Sequence, residues 1–456
     1  MLTCTINRLL LGLLAAGLIT QAAAQEIPSG TINLFRPAPI APPSGVASNP
    51  GPALGMRPET VGAVSYRALS VDAVNTFRTR SRAPRTVQVA LPGGRSVACA
   101  LSSEVATDGL LVMSGLPEGG GVGDRCELIV ENGLVTGIID IPDGRYSIRP
   151  LEGGNAHAVV QIKTEAFPNR ATEQMGGAEN RVGPGPKQTV PMCDVPPGPG
   201  QQPKSFGPIR VLVAYTPAAS KESRSIASDI QIMMLQFRQV ISSRLTGGNF
   251  SVSTELAHSV EVPFSEERDS PNMHKDLERL TDPEDPIFKT IHALRDTFKA
   301  DLVHLVTKSR KEDPCGLGWT LTYVDRSDYL TNDKWAFSVS DRQCAVQDNA
   351  FAHELGHNIG MRHDRSVVGG AKPGPEEFNF GYVLLRHGVR TLMAYDDACR
   401  TAGRRCRELL IFSNPNITYP TGGSPRFPLG QALSASDAAY NAEILCRNAD
   451  IVSKFR

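Results

Sequence analysis

Hydrophobic and polar positions follow two different rhythms along the chain. Between about residues 59 and 168 the apolar residues come in short runs, at Thr86–Leu91, Leu128–Val130, Leu134–Ile141 and Ala158–Ile162. Turn-forming strings separate them, among them Pro92-Gly93-Gly94, Glu131-Asn132-Gly133 and Pro142-Asp143-Gly144. Short apolar runs punctuated in this way predict β-strands, and Leu134–Ile141 with Arg145–Arg149 flank Pro-Asp-Gly as a hairpin would. From Gly207 onward, strand patterns alternate with helical ones, which predicts an α/β domain. Ile209–Tyr215, Phe250–His258 and Asp301–Thr307 read as strands. Ser220–Leu245 reads as a helix stopped by Gly247-Gly248, and Pro286–Lys299 as a second helix. Asp348 or Asn349 is placed to cap a further helix, and Ser434–Phe455 fits a C-terminal one.

Composition marks the boundaries. Pro37–Pro58 is rich in proline and glycine and poor in large apolar residues, which predicts a leader without fixed structure. Asn169–Gln202 has the same texture and reads as a linker. At the start, Arg8 precedes an apolar run from Leu9 to Ile19, and Ala22-Ala23-Ala24 before Gln25 forms a small-residue cleavage site. The run is shorter than the roughly 20 residues a membrane span needs. It predicts an export signal over 1–24 and a chain secreted to the medium or the periplasm, with no membrane partner once the signal is removed. The 47 basic and 47 acidic residues cancel, and no polybasic tract occurs, so nucleic acid is not an expected partner. The expected division is therefore signal 1–24, a leader to about 58, a β-rich stretch 59–168, a linker 169–203 and a domain 204–456.

The chemistry is concentrated in His353-Glu354-Leu-Gly-His357-Asn-Ile-Gly360-Met-Arg-His363. Two histidines four apart on a helix lie about 40° apart in azimuth and about 6 Å apart along the axis, so both imidazoles reach one metal ion. Glu354 falls about 60° to one side of His357, a position for a carboxylate that takes a proton from a metal-activated water. On a continued helix His363 would be rotated about 240° from His357, facing away. Gly360, free to take the left-handed conformation that ends a helix, turns the chain so that His363 returns to the metal. Five specified positions recur by chance in a chain this long on the order of once in 10⁴ to 10⁵ trials. Zinc is the expected ion, with His353, His357 and His363 as ligands and Glu354 as catalytic base.

This extended string resembles that of the metzincin metalloendopeptidases. The resemblance implies an α/β (α+β) catalytic domain with a mixed twisted sheet, an active-site helix and a C-terminal helix, acting on protein or peptide substrates. It also implies that Met393, in Thr391-Leu-Met-Ala-Tyr395, lies in the Met-turn as a floor beneath the imidazoles. Tyr395 matches the metal-proximal tyrosine of the astacin-like and serralysin-like branches, a second catalytic candidate, whereas Asp364 after the third histidine is similar to the adamalysin (reprolysin) branch. Trp335–Ser340 resembles the edge strand that runs beside the active helix and binds extended substrate. Phe351–Pro415 resembles the secreted bacterial peptidyl-Asp metallopeptidases, which cleave before Asp or Glu. That likeness makes Arg386 and Arg390, just ahead of the Met-turn, the candidates for a pocket that selects an acidic side chain.

Residues 25–203 then read as a pro-region that inhibits its own enzyme, and Gly144–His157 resembles propeptide segments of such proteases. Pro191-Met-Cys193-Asp-Val resembles a cysteine switch, although Asp194 stands where those motifs have glycine. Nine cysteines, one inside the signal, predict disulfides in an exported chain. Spacing suggests Cys99–Cys126, Cys315–Cys344 and Cys399–Cys406. Cys193 is left either as a zinc switch, with Cys446 a free thiol, or as the partner of Cys446. A different class stays open as well: an exported zinc-containing binding or adhesion protein with a catalytically silent metzincin fold.

Overall fold

The computed structural model describes residues 30–168 except 44–45, 47–49, 80–85, 106–108 and 153; residues 174–175; and residues 202–456 except 243, 309, 322–332, 369–376 and 421–425. The expected export signal, most of the linker and Cys193 lie outside the described residues.

The fold is mixed α/β and is built on two large sheets. In the first, β1 (Thr31–Asn33), β2 (Val61–Ala68), β3 (Thr86–Ala90), β4 (Ser96–Val105), β5 (Leu111–Pro117), β6 (Arg125–Glu131), β7 (Leu134–Ile141), β8 (Gly144–Pro150) and β9 (Ala156–Ile162) form nine strands in the order β1-β3-β4-β5-β6-β7-β8-β9-β2. The β7–β8 hairpin pairs Ile141 with Gly144 across the expected turn. β6, β7 and β8 are buried almost end to end, because both faces of the sheet are covered. One face holds a core of its own, including Leu34, Val87, Leu128 and Ile139. The opposite face shares a core with the following domain, where Ile129, Ile138 and Val160 join Ile230, Met233 and Phe237 of helix α1 (Ile226–Val240).

The residues expected to form a leader without fixed structure are in part built in. β1 pairs with β3, and Leu34, Phe35, Leu54 and Met56 are buried. A few large side chains between the prolines suffice to anchor the segment, a local exception that average composition hides.

The second sheet holds β10 (Gln174–Met175), β11 (Lys204–Tyr215), β12 (Phe250–Glu261), β13 (Leu302–Thr307), β14 (Gly316–Thr320) and β15 (Phe337–Asp341), in the order β10-β14-β15-β13-β11-β12. All its pairings are parallel except β14 with β15. The strand expected at the edge is therefore displaced. The 335–340 segment supplies β15, an inner strand, and the outer place beside it belongs to β14, whose Gly-Leu-Gly-Trp-Thr sequence carries too little alternation to announce a strand. Ser220–Leu245 also divides, into a short helix Pro217–Glu222 and α1, because Ser223 is extended and the Ser225 hydroxyl accepts the Ser228 N–H to start a new helix. α2 (Arg342–Gln347) leads through Asp348 and Asn349 into α3 (Ala350–Ile359), and α4 (Asn441–Val452) is the C-terminal helix. α4 starts seven residues later than the periodicity suggested, since Gln431 and Ala439 are bridged in extended form just before it.

The three expected disulfides, Cys99–Cys126, Cys315–Cys344 and Cys399–Cys406, are all formed. Cys446 is also disulfide-bonded, to a partner outside the described residues, and so is not the free thiol that a switch at Cys193 leaves behind. Among the described residues no helix is long and apolar enough to cross a membrane.

Candidate metal centre

Every residue of α3 is buried, which is why its sequence carries Ala350, Phe351, Ala352, Leu355 and Ile359 alongside its polar residues. It is held at both ends and along its flank. At its start Asn349 is left-handed, with φ 58°, and does not cap the helix with its side chain. Its amide instead accepts Arg125 Nη2 at 2.6 Å and donates to Glu408 Oε1 at 2.8 Å. Along the flank, Asn358 Nδ2 donates to the Trp319 and Phe337 carbonyls, both at 3.0 Å, tying the helix to β14 and β15.

At its end Gly360 has φ 106°. A Cβ there would lie 2.9 Å from both Asn448 Nδ2 and the Leu321 carbonyl, so glycine is required on two counts. Asn448 Nδ2 donates to Ile359 O and Asn379 Nδ2 to Gly360 O, each at 2.6 Å, which satisfies carbonyls that the helix leaves open.

The turn brings the third imidazole back. His353 Nε2 lies 3.1 Å from His363 Nε2, and His357 Nε2 lies 3.0 Å from it. All three rings are buried. The outer nitrogens decide what those contacts are. His353 Nδ1 donates to Leu392 O at 2.9 Å, and His357 Nδ1 donates to Met361 O at 2.8 Å. Both Nε2 atoms therefore present lone pairs toward His363 Nε2, and the three ring nitrogens face a common point at which they could share one cation. Zinc bound tetrahedrally at about 2.0–2.1 Å to each nitrogen would space them by about 3.4 Å, close to what is seen. The donor set fits zinc.

Around this centre the expected residues fall as follows. Glu354 is buried, with its carboxylate against β14: a Cβ on Gly316 would stand 2.6 Å from Glu354 Oε1. Met393 is fully buried with its sulfur against Gly356, the residue before His357, and the neighbouring Leu392 carbonyl orients His353. The Tyr395 ring centroid lies 4.2 Å from that of His363. Arg390 is engaged by Glu408 at 2.6 Å and by Ala394 O at 2.5 Å. Arg386 is exposed, with its guanidinium 5.1 Å from the Phe427 ring centroid. His304, read from the sequence as a core histidine, is buried between the hydroxyls of Ser338 at 2.8 Å and Ser340 at 2.7 Å. Burial pushes its pKa down to about 3.

Three groups went unmarked in the sequence. Gly316 and Gly318 make room for Glu354 and its carbonyl, a role visible only once β14 is placed beside α3. Asp364, noticed only as a branch marker, accepts the Tyr395 N–H at 2.8 Å and thereby ties the third histidine's loop to the Met393 segment. The third group is a buried charge cluster joining the first sheet to the second domain. Asp229 takes Arg149 and Arg342, each at 2.9 Å, and these guanidiniums hold its carboxyl below the usual range although burial alone would raise it. Arg145 donates to Gln347 O at 2.9 Å, and Arg407 reaches Asp124 at 2.7 Å and Asp140 at 3.1 Å.

Residues 208–402 match the sequence model of metallo-peptidase family M12 of the reprolysin type. A peptidyl-Asp metalloendopeptidase of Stenotrophomonas maltophilia strain K279a is 28% identical over 461 residues, covering 98% of this chain and 98% of that protein. Another peptidyl-Asp metalloendopeptidase, from Xanthomonas campestris pv. campestris, is 28% identical over 339 residues, covering 72% and 69%. The crystal structure of metalloproteinase-II from Bacteroides fragilis superposes at a TM-score of 0.39 and 9% identity, covering 64% of this chain and 85% of that one.

Proposed function

The chain is a metalloendopeptidase of the reprolysin type, and on that premise we propose that it is the exported precursor of a zinc endopeptidase of metzincin architecture that cleaves before acidic residues. The convergence of three Nε2 atoms on one point, with Glu354 between two of those histidines on α3, carries the reading. Zinc held there by His353, His357 and His363 would polarise the scissile carbonyl and make a water nucleophilic near neutral pH. Glu354 takes the proton of the attacking water and passes it to the leaving amine. Its buried seat against β14 keeps the carboxylate aimed and limits competing water. Tyr395, packed on His363, is the candidate to donate its phenol proton to the developing oxyanion.

An extended substrate has an outer strand edge to join on β14. Gln174 and Met175, just ahead of the protease domain, pair there in parallel with Trp319 and Thr320. That pairing supports the reading of the N-terminal region as an inhibitor, because it uses backbone groups a substrate needs. The acidic preference draws on the names of the relatives and on the arginines near the Met393 segment.

Glu354→Gln tests the core of this function. The variant should retain one zinc per chain by elemental analysis yet lose at least about 10²-fold in peptide hydrolysis. Turnover near the wild-type rate would refute the base assignment, and absence of stoichiometric zinc in the wild-type chain would refute the metal.

A further inference from the structure

A cavity of about 340 Å³ lies between the first sheet and the protease domain, with Tyr395 on its wall and Arg390, Arg407 and Glu408 lining it nearby. Tyr395 packs on His363, so this space begins at the metal centre's flank. Four arginines of the protease domain line it, and they differ in what neutralises them. Arg390 is paired with Glu408 at 2.6 Å, and Arg400 with Asp397 at 3.2 Å, both within the domain itself. Arg405 is exposed. Arg407 is the exception: both carboxylates that hold it, Asp124 and Asp140, come from the N-terminal sheet.

Arg407 is placed on β17 (Arg407–Leu409), which runs parallel to β16 (Val389–Thr391), the strand leading into the Met393 segment. Its side chain is only 20% exposed, and its Nε is buried without a hydrogen-bond partner among the described residues. The turn carrying Asp124 comes very close to this strand. A Cβ on Gly123, at φ 84°, would fall 2.9 Å from the Leu409 side chain. The N-terminal region is thus shaped to bring a carboxylate to Arg407.

We propose that Arg407 is the cation that reads the acidic side chain of the substrate, and that Asp124 and Asp140 stand in for that side chain until the N-terminal region is removed. The proposal rests on the acidic-preference reading above and moves it from Arg386 and Arg390 to a different residue. The physical reason is charge balance. When the N-terminal region leaves, Arg390 keeps Glu408, whereas the guanidinium at Arg407 loses both its anions. A carboxylate entering the same space restores a charge-assisted pair, and an uncharged isostere does not.

The test uses the full-length chain, incubated until its peptidase activity is constant, and peptides identical except for Asp, Asn or Glu after the scissile bond. Wild type should favour Asp over Asn by at least about tenfold in kcat/KM. Arg407→Gln should bring that ratio to within about threefold, the larger loss falling on the Asp peptide. Arg407→Lys keeps the charge and so protects folding, but its side chain is shorter, so it should shift preference from Asp toward Glu. As a readout apart from turnover, an Asp-initial product peptide should bind the matured wild-type chain more tightly than the matured Arg407→Gln chain by at least about tenfold. Unchanged ratios in both Arg407 variants, beside a wild type that discriminates, overturn the Arg407 assignment and leave the acidic preference standing. A wild-type ratio near one overturns the acidic preference and this assignment together.

Discussion

Replacing Gly316 by alanine asks whether the strand beside α3 places the Glu354 carboxylate, the proposed base. The added Cβ would stand 2.6 Å from Glu354 Oε1 and 2.9 Å from both its Cδ and Cγ, where ordinary contact begins at 3.4 Å. The side chain must therefore retreat by roughly 0.5–0.8 Å. Only the flexible end of Glu354 has to move, so the fold should survive with a melting temperature within a few degrees of wild type. The chemistry should not. A displacement approaching 1 Å at a reacting group costs on the order of 10²-fold, so kcat should fall about 10- to 100-fold, or about 1.4–2.7 kcal/mol in barrier height. Zinc content should stay at one per chain, because no histidine is touched. Gly318→Ala provides the contrast, since its Cβ would meet the Glu354 carbonyl at 2.8 Å, which is helix backbone and cannot swing aside. It should lower stability by about 1–3 kcal/mol instead. Peptide kinetics, elemental analysis and thermal melts on the two variants separate these outcomes. A Gly316→Ala chain with wild-type kcat would show that β14 does not position Glu354.

Gly360→Ala imposes about 1–2 kcal/mol of left-handed strain and a contact at 2.9 Å with Asn448 and Leu321, so it should lower both melting temperature and zinc occupancy, and full occupancy would count against the turn's role. His304 is buried neutral with its pKa pushed from 6.5 to about 3, so the unfolded chain binds the proton more readily. Its contribution to stability is complete above about pH 6.5 and is lost as pH falls toward 3, by roughly 1.4 kcal/mol per unit. Urea midpoints between pH 7 and 4.5 should show this slope, and His304→Gln should flatten it; an identical slope in the variant would exclude His304 as its source. Stripping metal with a chelator leaves the three imidazole nitrogens facing one another, so activity and melting temperature should both drop and return on adding zinc. A chelated chain with unaltered melting would contradict that expectation.

What the sequence determined by itself is local and periodic. The spacing of His353, His357 and His363 about Gly360, the short strands from Thr86 to Ile162 and the cysteine pairs all depend on residues near one another in the chain. Helix pitch and turn chemistry act over that range. Pairings across long separations were not legible, because they depend on which strand lies beside which. The place of β14 outside β15 followed from sheet order, and with it the seat of Glu354 against Gly316. Asn349 looked like a helix cap, yet its amide is spent on Arg125 and Glu408, residues 224 and 59 positions away. Likewise the arginines next to the Met393 segment attracted attention by proximity in sequence. Only tertiary structure revealed that Glu408 already balances Arg390, while Arg407 draws its counter-charges from a sheet more than 260 residues upstream. Charge partnership is a property of space, and a one-dimensional pattern carries it only when the partners are neighbours.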